Sequence, residues 1–378
     1  MKLSIEKPTI LLNVDQAKRN IQRMAEKAQR QNIRFRPHFK THQSAEIGEW
    51  CRQAGVTAIT VSSVEMAQYF ARHGWDDITV AFPANLRQIG SINELAKSIR
   101  LDLLVESQET VEYLSTHLTT PVDAWIEIDD GSNRSGVRWD RPNDILQLAA
   151  RMRSNKHLRC AGILTHAGRI YHAKSPDGVR RIYHETVKRM DIVRQFLVKH
   201  GYTPEVSVGD TPGCTLCTRL GPVDEIRPGN FVLYDAMQME MGVCEARDIA
   251  AVVACPVVAT YPERGEVVIF GGAVHLSKDT VKVGKKRVYG LVVTMDGCES
   301  QQPDKPWVSE VEGGFVTRLS QEHGVVALPE PACSQVKVGD LVYIIPAHIC
   351  LTVSALGQYT TPDGDIITTM NKVSKSLS

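Results

Sequence analysis

The sequence predicts an α/β chain: a TIM-type (β/α)8 barrel with a second, smaller, mostly antiparallel β domain. Three observations predict it. Eight short β-rich runs lie in the first 235 residues, most of them separated by helical patterns. After about residue 245 the helical spacing gives way to strands punctuated by Gly, Pro and Asp turns. The residues hardest to explain by packing fall at the C-terminal ends of the early runs, the face on which a closed β/α barrel gathers its chemistry.

The runs are IRFRPHF (33–39), AITVSS (58–63), ITVAF (78–82), LDLLVE (101–106), VDAWIEI (122–128), CAGILTH (160–166), EVSVG (205–209) and EIRPG (225–229). Several are dense in Val, Ile and Leu, as strands buried on both faces should be. Between them, VDQAKRNIQRMAEKAQRQ and DGVRRIYHETVKRMDIVRQFLVKHG carry helical apolar spacing. Gly201 closes the second of these as a cap residue. Downstream, AAVVACPVVATYP, GEVVIFGGAV, KRVYGLVVTM, GVVALP and GDLVYIIPAHICLTVSAL read as strands of an antiparallel sheet or small barrel. The expected division is residues 1–14 as a strand joining the β domain, 15–245 as the barrel and 246–378 as the β domain.

Composition narrows the function classes. Of 378 residues, 43% are hydrophobic and 23% charged, and the formal net charge is +1. Such a chain has no strong field for nucleic acid or an anionic membrane. No apolar run approaches the roughly 18 residues of a membrane span, and MKLSIEKPTILLNVDQ lacks the apolar core of a signal peptide. The nine cysteines are odd in number and scattered, which points to reduced thiols and a cytoplasmic location. Cys214 and Cys217 form a single CxxC with no partner pair and read as barrel-loop residues.

Five strand ends feed one face. Lys40 ends the first run, in RPHFKTH; Asp129, Asp130 and Arg134 follow the fifth, in EIDDGSNRSGV; His166 ends the sixth, in THAGRIYH; Gly209 and Thr211 follow the seventh, in SVGDTPG; Arg227, Gly229 and Asn230 lie at the eighth, in EIRPGN. A lysine at a barrel mouth can lose its charge by desolvation beside other cations, and the neutral amine can then condense with an aldehyde. Arg36, His38 and His42 are expected to supply that positive potential. The plain reading is a solvated basic turn, and the segment alone does not separate the two. SVGDTPG and RPGN offer small residues and backbone N–H groups that can cradle a phosphate; either is also ordinary turn chemistry. His348 and Cys350 stand two apart in a strand-like run and so share a face. An imidazole and a thiolate suit Zn2+ with positions left open for substrate, whereas a buried Cys beside a hydrogen-bonded His is the bland alternative.

Taken together these segments resemble the D-serine dehydratase and D-threonine aldolase family, within the alanine-racemase-like fold type of pyridoxal phosphate enzymes. RPHFKTH, EIDDGSNRSGV, LTHAGRIYH, SVGDTPG and EIRPGNFVLYD are similar to the successive barrel motifs, and LSQEHGVV and IIPAHICLTV to those of the C-terminal domain. The resemblance runs nearly end to end. It implies pyridoxal 5'-phosphate attached to Lys40, its phosphate held by Gly209, Thr211, Gly229 and Asn230, its ring lined by His166 and Tyr171, its pyridine nitrogen facing Arg227 and its phenolic oxygen approached by Arg134. It maps a metal site onto His348 and Cys350, with Zn2+ expected and Mn2+ or Mg2+ as alternatives. It also implies a head-to-tail homodimer.

Two positions depart from the family pattern. Asp210 stands where a small serine-like residue is expected, so it must point away from a phosphate or be paired. Arg169 and Ile170 replace smaller residues, and a cation there would favour an acidic substrate. The implied reaction is elimination from a D-β-hydroxy amino acid (D-serine or D-threo-3-hydroxyaspartate type) to a keto acid and ammonia, with Lys40 taking the Cα proton. The alternatives are retro-aldol cleavage to glycine and an aldehyde, and a pyridoxal phosphate-binding homologue without turnover. The HxC spacing tilts the reading to elimination, because aldolases of the family tend to show HxD and a thiolate suits zinc.

Overall fold

The computed structural model describes residues 4–153, 155–296 and 306–373. The chain forms two compact units: residues 23–40 with 51–229, and residues 1–22 with 41–50 and 230–378. The contacts therefore place residues 15–22, 41–50 and 230–245 in the second unit, where the sequence reading put them in the barrel.

The first unit is a closed parallel barrel. Its strands in chain order are Arg34–Phe35, Ile59–Val61, Asp77–Pro83, Arg100–Val105, Val122–Asp129, Leu158–His166, Glu205–Gly209 and Glu225–Ile226. Each pairs with its neighbours in sequence, and the first pairs with the last. The His38–Thr60 bridge closes the circle through Phe39 N–H to Thr60 O (2.8 Å) and Thr60 N–H to Pro37 O (2.9 Å). The eight expected runs are thus the eight strands. The first and last are shorter as ladders than as sequence runs, because Pro37 and Pro228 lack an N–H. Pairing continues as single bonds, His38 N–H to Pro228 O (2.8 Å) and Arg227 N–H to Val208 O (2.9 Å). Val122–Asp129 is buried at every residue, the pattern of a strand covered on both faces. Ser63, Ser107 and Ser175 cap three of the helices, the last with Pro176 in the first turn. Gly201 takes φ 80° one residue beyond the C-cap His200.

An ion cluster is buried in this unit. The fully buried Arg36 guanidinium donates from Nε to Glu225 Oε2 (2.7 Å) and from Nη1 to Asp77 Oδ1 (2.5 Å), and its Nη2 lies 3.7 Å from Asp102 Oδ2. Burial pushes the Glu225 carboxyl up, but Arg36 and Arg34 outweigh it and hold the group down at about 2. Asp102 is pushed up to about 6 by burial, against the pull of Arg36.

The second unit is an antiparallel β-barrel. Glu266–Phe270, His323–Ala327, Val308–Leu319, Gly290–Met295, Leu341–Pro346 and Ala251–Tyr261 pair in that order, and the last returns to the first. The N-terminal strand Thr9–Leu12 adds to Ala251–Ala254 antiparallel and to Gln358–Thr360 in parallel. One expectation is corrected here. His348 and Cys350 do not lie on a strand: the ladder ends at Pro346, His348 is the N-cap of helix Ile349–Leu356, and Gly357 stops that helix at φ 71°. Among the described residues no helix is long and apolar enough to cross a membrane.

Removing Arg36 leaves the buried Asp102 without its nearest cation and Glu225 with Arg34 alone, 2.6 Å away. We expect Arg36→Ala to lower the unfolding free energy by about 3–5 kcal/mol, read as a drop in the urea midpoint; an unchanged midpoint would show the cluster to be energetically idle.

Candidate active site

The C-terminal strand ends of the parallel barrel surround a cavity of about 340 Å3. Lys40, Arg134, His166 and Arg227 all line it, joined by His38 and Glu127. The sequence thus brings four of its predicted residues to one place. A larger cavity of about 550 Å3 opens at the other end of the barrel, where Arg100, Val122, Arg159 and Pro204 start their strands. There Arg100 and Arg159 are both ion-paired with Asp123, at 3.0 and 2.6 Å, and that end of such a barrel serves stability.

Arg227 is the most constrained of the four. It is buried, and Nε donates to Ser207 Oγ (2.7 Å) while Nη2 donates to Thr165 O (2.6 Å). Burial lowers it to about 10, so it remains a cation at neutral pH. A Cβ on Gly209 would meet Arg227 Nη1 at 2.9 Å and Cζ at 3.0 Å. Glycine at 209 is what lets the guanidinium lie against the seventh strand.

His166 Nδ1 sits 2.7 Å from Gly209 O. A carbonyl only accepts, so Nδ1 carries the proton and Nε2 keeps its lone pair. Burial, with Lys40 and Arg134 nearby, drives His166 down to about 3. Tyr171 lies over it with ring centroids 5.8 Å apart. His38 is lowered well below its ordinary value by burial, then by Lys40 and Arg227, and His42 falls to about 3 by burial. Both imidazoles are neutral, and the charge of Arg36 is matched by its carboxylates. The expectation that these three supply positive potential to Lys40 is overturned; Arg227 and Arg134 are the cations that line the cavity with it. The Arg134 side chain is 56% exposed, with Nη2 3.6 Å from Glu127 Oε1. Glu127 also accepts from Ser135 Oγ (2.8 Å), and burial raises its pKa.

The two loops with phosphate-binding character meet within this unit, Gly229 N–H donating to Thr211 Oγ1 (3.3 Å). Asp210 caps the short helix Thr211–Leu216 through Gly213 N–H (2.5 Å). It is therefore paired, as the sequence required. Arg169 is paired too, to Glu185 (2.8 Å). Asn230 belongs to the second unit, and its Nδ2 donates to Asp235 Oδ2 (2.6 Å). That bond uses one of the two N–H groups of its side-chain amide.

In the second unit the His348 ring and the Cys350 thiol are hydrogen-bonded neighbours. Burial pushes His348 down, but Cys350 and Asp235 outweigh it and raise the imidazole well above its ordinary value. Thr41 Oγ1 lies 3.3 Å from Cys350 Sγ. Among the described residues no group of three or more His, Cys, Asp or Glu that could hold a metal ion is found. Glu127, Thr41 and Asp235 were missed in the sequence. The first carried a signal, an inward position on a strand whose end is chemical; Asp235 and Thr41 act through contacts 113 and 309 residues away in the chain.

Burial pushes Asp210 up from 3.8 to about 7. A carboxyl raised by folding favours the fold while protonated, so its contribution is whole below pH ~4 and is lost as pH rises through about 7. Asp210→Asn keeps an oxygen for the cap, so we expect it to be more stable than the parent above pH 7 by on the order of 2–3 kcal/mol and level with it at acid pH, measured by thermal unfolding across pH; parallel curves at every pH would refute this.

Comparison with known proteins agrees with this geometry. The model of the alanine racemase N-terminal domain matches residues 12–236, and a serine dehydratase domain model matches residues 250–361. The chain is similar to the D-threo-3-hydroxyaspartate dehydratase of Delftia sp. HT23, 29% identical with 97% of each chain covered. The solved structure of that enzyme superposes with a TM-score of 0.86 over 97% of both chains at 28% identity. A cysteine-to-alanine variant of it, described as the metal-free form, gives the same TM-score at 27% identity. The D-serine dehydratase of Dictyostelium discoideum is 26% identical (96% of this chain, 94% of the relative), and the 3-hydroxy-D-aspartate aldolase of Paracoccus denitrificans 24% (91% and 85%). Both halves of the molecule, the lysine-ended barrel and the β unit with its imidazole and thiol, fall under these models: the chain belongs to the alanine racemase N-terminal domain family, in the branch that joins this barrel to a serine dehydratase domain.

Proposed function

We propose that this chain is a lyase that holds pyridoxal 5'-phosphate on Lys40 and a divalent metal on His348 and Cys350, and removes water from a D-β-hydroxy amino acid to give a keto acid and ammonia. The observation that carries the reading is the cavity at the barrel mouth, where Lys40 shares one space with a fixed guanidinium, Arg227, and neutral imidazoles. The residues fit the cofactor. Gly209 leaves room for Arg227, which would face the pyridine nitrogen; Arg134 would approach the phenolic oxygen; His166 and Tyr171 would line the ring. The Thr211 hydroxyl and the backbone N–H groups of Gly209, Gly229 and Asn230 would hold the phosphate. The residues also fit a metal, since imidazole and thiolate form a borderline-soft pair suited to Zn2+.

When bound, the pyridoxal ring withdraws electrons from Cα and acidifies its hydrogen. The metal supplies a Lewis acid for the departing β-oxygen. The rest falls to the chain. The Lys40 amine would be the base that takes the Cα proton. Arg227 stays a cation at neutral pH and offers an N–H, so it does not protonate the ring, and the leaving oxygen must be stabilised elsewhere. His166, with Nδ1–H held by Gly209 O, presents an acceptor nitrogen to the cavity. Peptide bond 40–41 joins the lysine to Thr41, whose hydroxyl touches the Cys350 thiol. The fold type favours a head-to-tail homodimer. A net charge of +1 fits a small-molecule substrate in the cytoplasm, with no nucleic acid or membrane partner.

Retro-aldol cleavage uses the same lysine and metal, and the relatives include enzymes named aldolases. Cys350, where a carboxylate would suit Mn2+ or Mg2+, favours elimination.

With D-serine, D-threonine and D-threo-3-hydroxyaspartate as a panel, the expected products are keto acid and ammonia. Glycine plus aldehyde would move the chain to the aldolases, and no product from a cofactor-loaded protein would make it a binding homologue. Chelation by EDTA is expected to abolish turnover and Zn2+ to restore it; full activity after exhaustive chelation contradicts the metal's role. Lys40→Ala is expected to lose the cofactor's protein-linked absorbance and all detectable turnover.

A further inference from the structure

We propose that Asp235 is the positioning residue of the metal centre, fixing the His348 tautomer that presents Nε2 to the ion. This rests on the reading that His348 and Cys350 hold a metal. Asp235 is fully buried and is the N-cap of helix Ala236–Glu240. A cap needs one carboxylate oxygen, and Oδ1 serves it by accepting Gln238 N–H (3.1 Å). Oδ2 does something else. It accepts from Asn230 Nδ2 (2.6 Å), from His348 Nδ1 (3.0 Å) and from Ile349 N–H (3.1 Å).

Those three donors define an orientation. A carboxylate on Nδ1 keeps the proton there and leaves the lone pair on Nε2, the nitrogen turned away from Asp235. It also makes that nitrogen a better donor to a cation. The bond to Ile349 N–H fixes the first turn of the helix that carries Cys350, so one oxygen sets the ring of one ligand and the backbone of the other. Asn230 supplies the third bond and holds the carboxylate against rotation. The residue before it, Tyr234, sits at φ 52°, a region that bulky side chains seldom occupy. The chain keeps an uncommon backbone conformation at Tyr234, next to the Asp235 carboxylate that accepts from His348 and Ile349.

The test is metal binding rather than turnover. Metal-stripped protein is titrated with Co2+, and the thiolate-to-cobalt charge-transfer band reports Cys350 ligation. The parent is expected to show the band, and Asp235→Asn to weaken Co2+ binding 10- to 100-fold with the Lys40-linked cofactor absorbance unchanged. Binding as tight in Asp235→Asn as in the parent overturns the proposal. A parent that holds the cofactor yet shows no band overturns the metal reading itself, a distinct failure. If Asp235→Asn does not fold, 15N NMR of the zinc-loaded parent decides: a His348 ring protonated on Nδ1 and metallated on Nε2 is the expected state, and metal on Nδ1 sinks the idea.

Discussion

A buried cation decides what else the barrel mouth can contain. Arg227 is buried, so its N–H groups must find partners, and they do so on Ser207 and Thr165. Its bulk forbids any side chain at 209. Its charge, with that of Arg134 and Lys40, lowers His38 and His166 beyond what burial does alone. The mouth therefore combines cations with neutral imidazoles. That is an environment for stabilising negative charge that develops on a bound group without offering it a proton.

What was legible in the sequence follows the range of the interactions. The barrel strands are local facts: runs of Val, Ile and Leu between helical patterns, several of them buried on both faces, and all eight fall where the pattern put them. The strand-end residues were legible for the same reason, since a barrel with known strand ends dictates which positions face the mouth. The HxC pair was placed in the wrong element. IIPAHICLTV is rich in β-branched residues and reads as a strand, but Pro346 ends the ladder and Asp235, 113 residues away, accepts Ile349 N–H at the start of a helix. A cap supplied from elsewhere in the chain leaves no local signal. The charge of His38 and His42 was misread because the sequence shows the ring and not its burial.

Asp210 shows how a departure from a family pattern is absorbed. An acidic residue in a phosphate-type loop looks hostile to a dianion. Here one oxygen caps a helix, and burial raises the group to about 7. A carboxyl that is partly neutral near physiological pH imposes much less repulsion than a fixed charge. The substitution changes the pH behaviour of the loop more than its shape.

The two units divide the chain inside motifs rather than between them. One boundary falls between Lys40 and Thr41 in RPHFKTH, another between Gly229 and Asn230 in RPGN. Lys40 lines the cavity of the parallel barrel, while its covalent neighbour Thr41 touches Cys350 in the β unit. Gly229 bonds to Thr211 in the barrel, while Asn230 donates to Asp235 in the β unit. Each short motif therefore has one end in the parallel barrel and the other in the β unit. A substitution at Thr41 or Asn230 cannot be silent in one unit merely because its role is assigned to the other, since a single peptide bond separates the two duties.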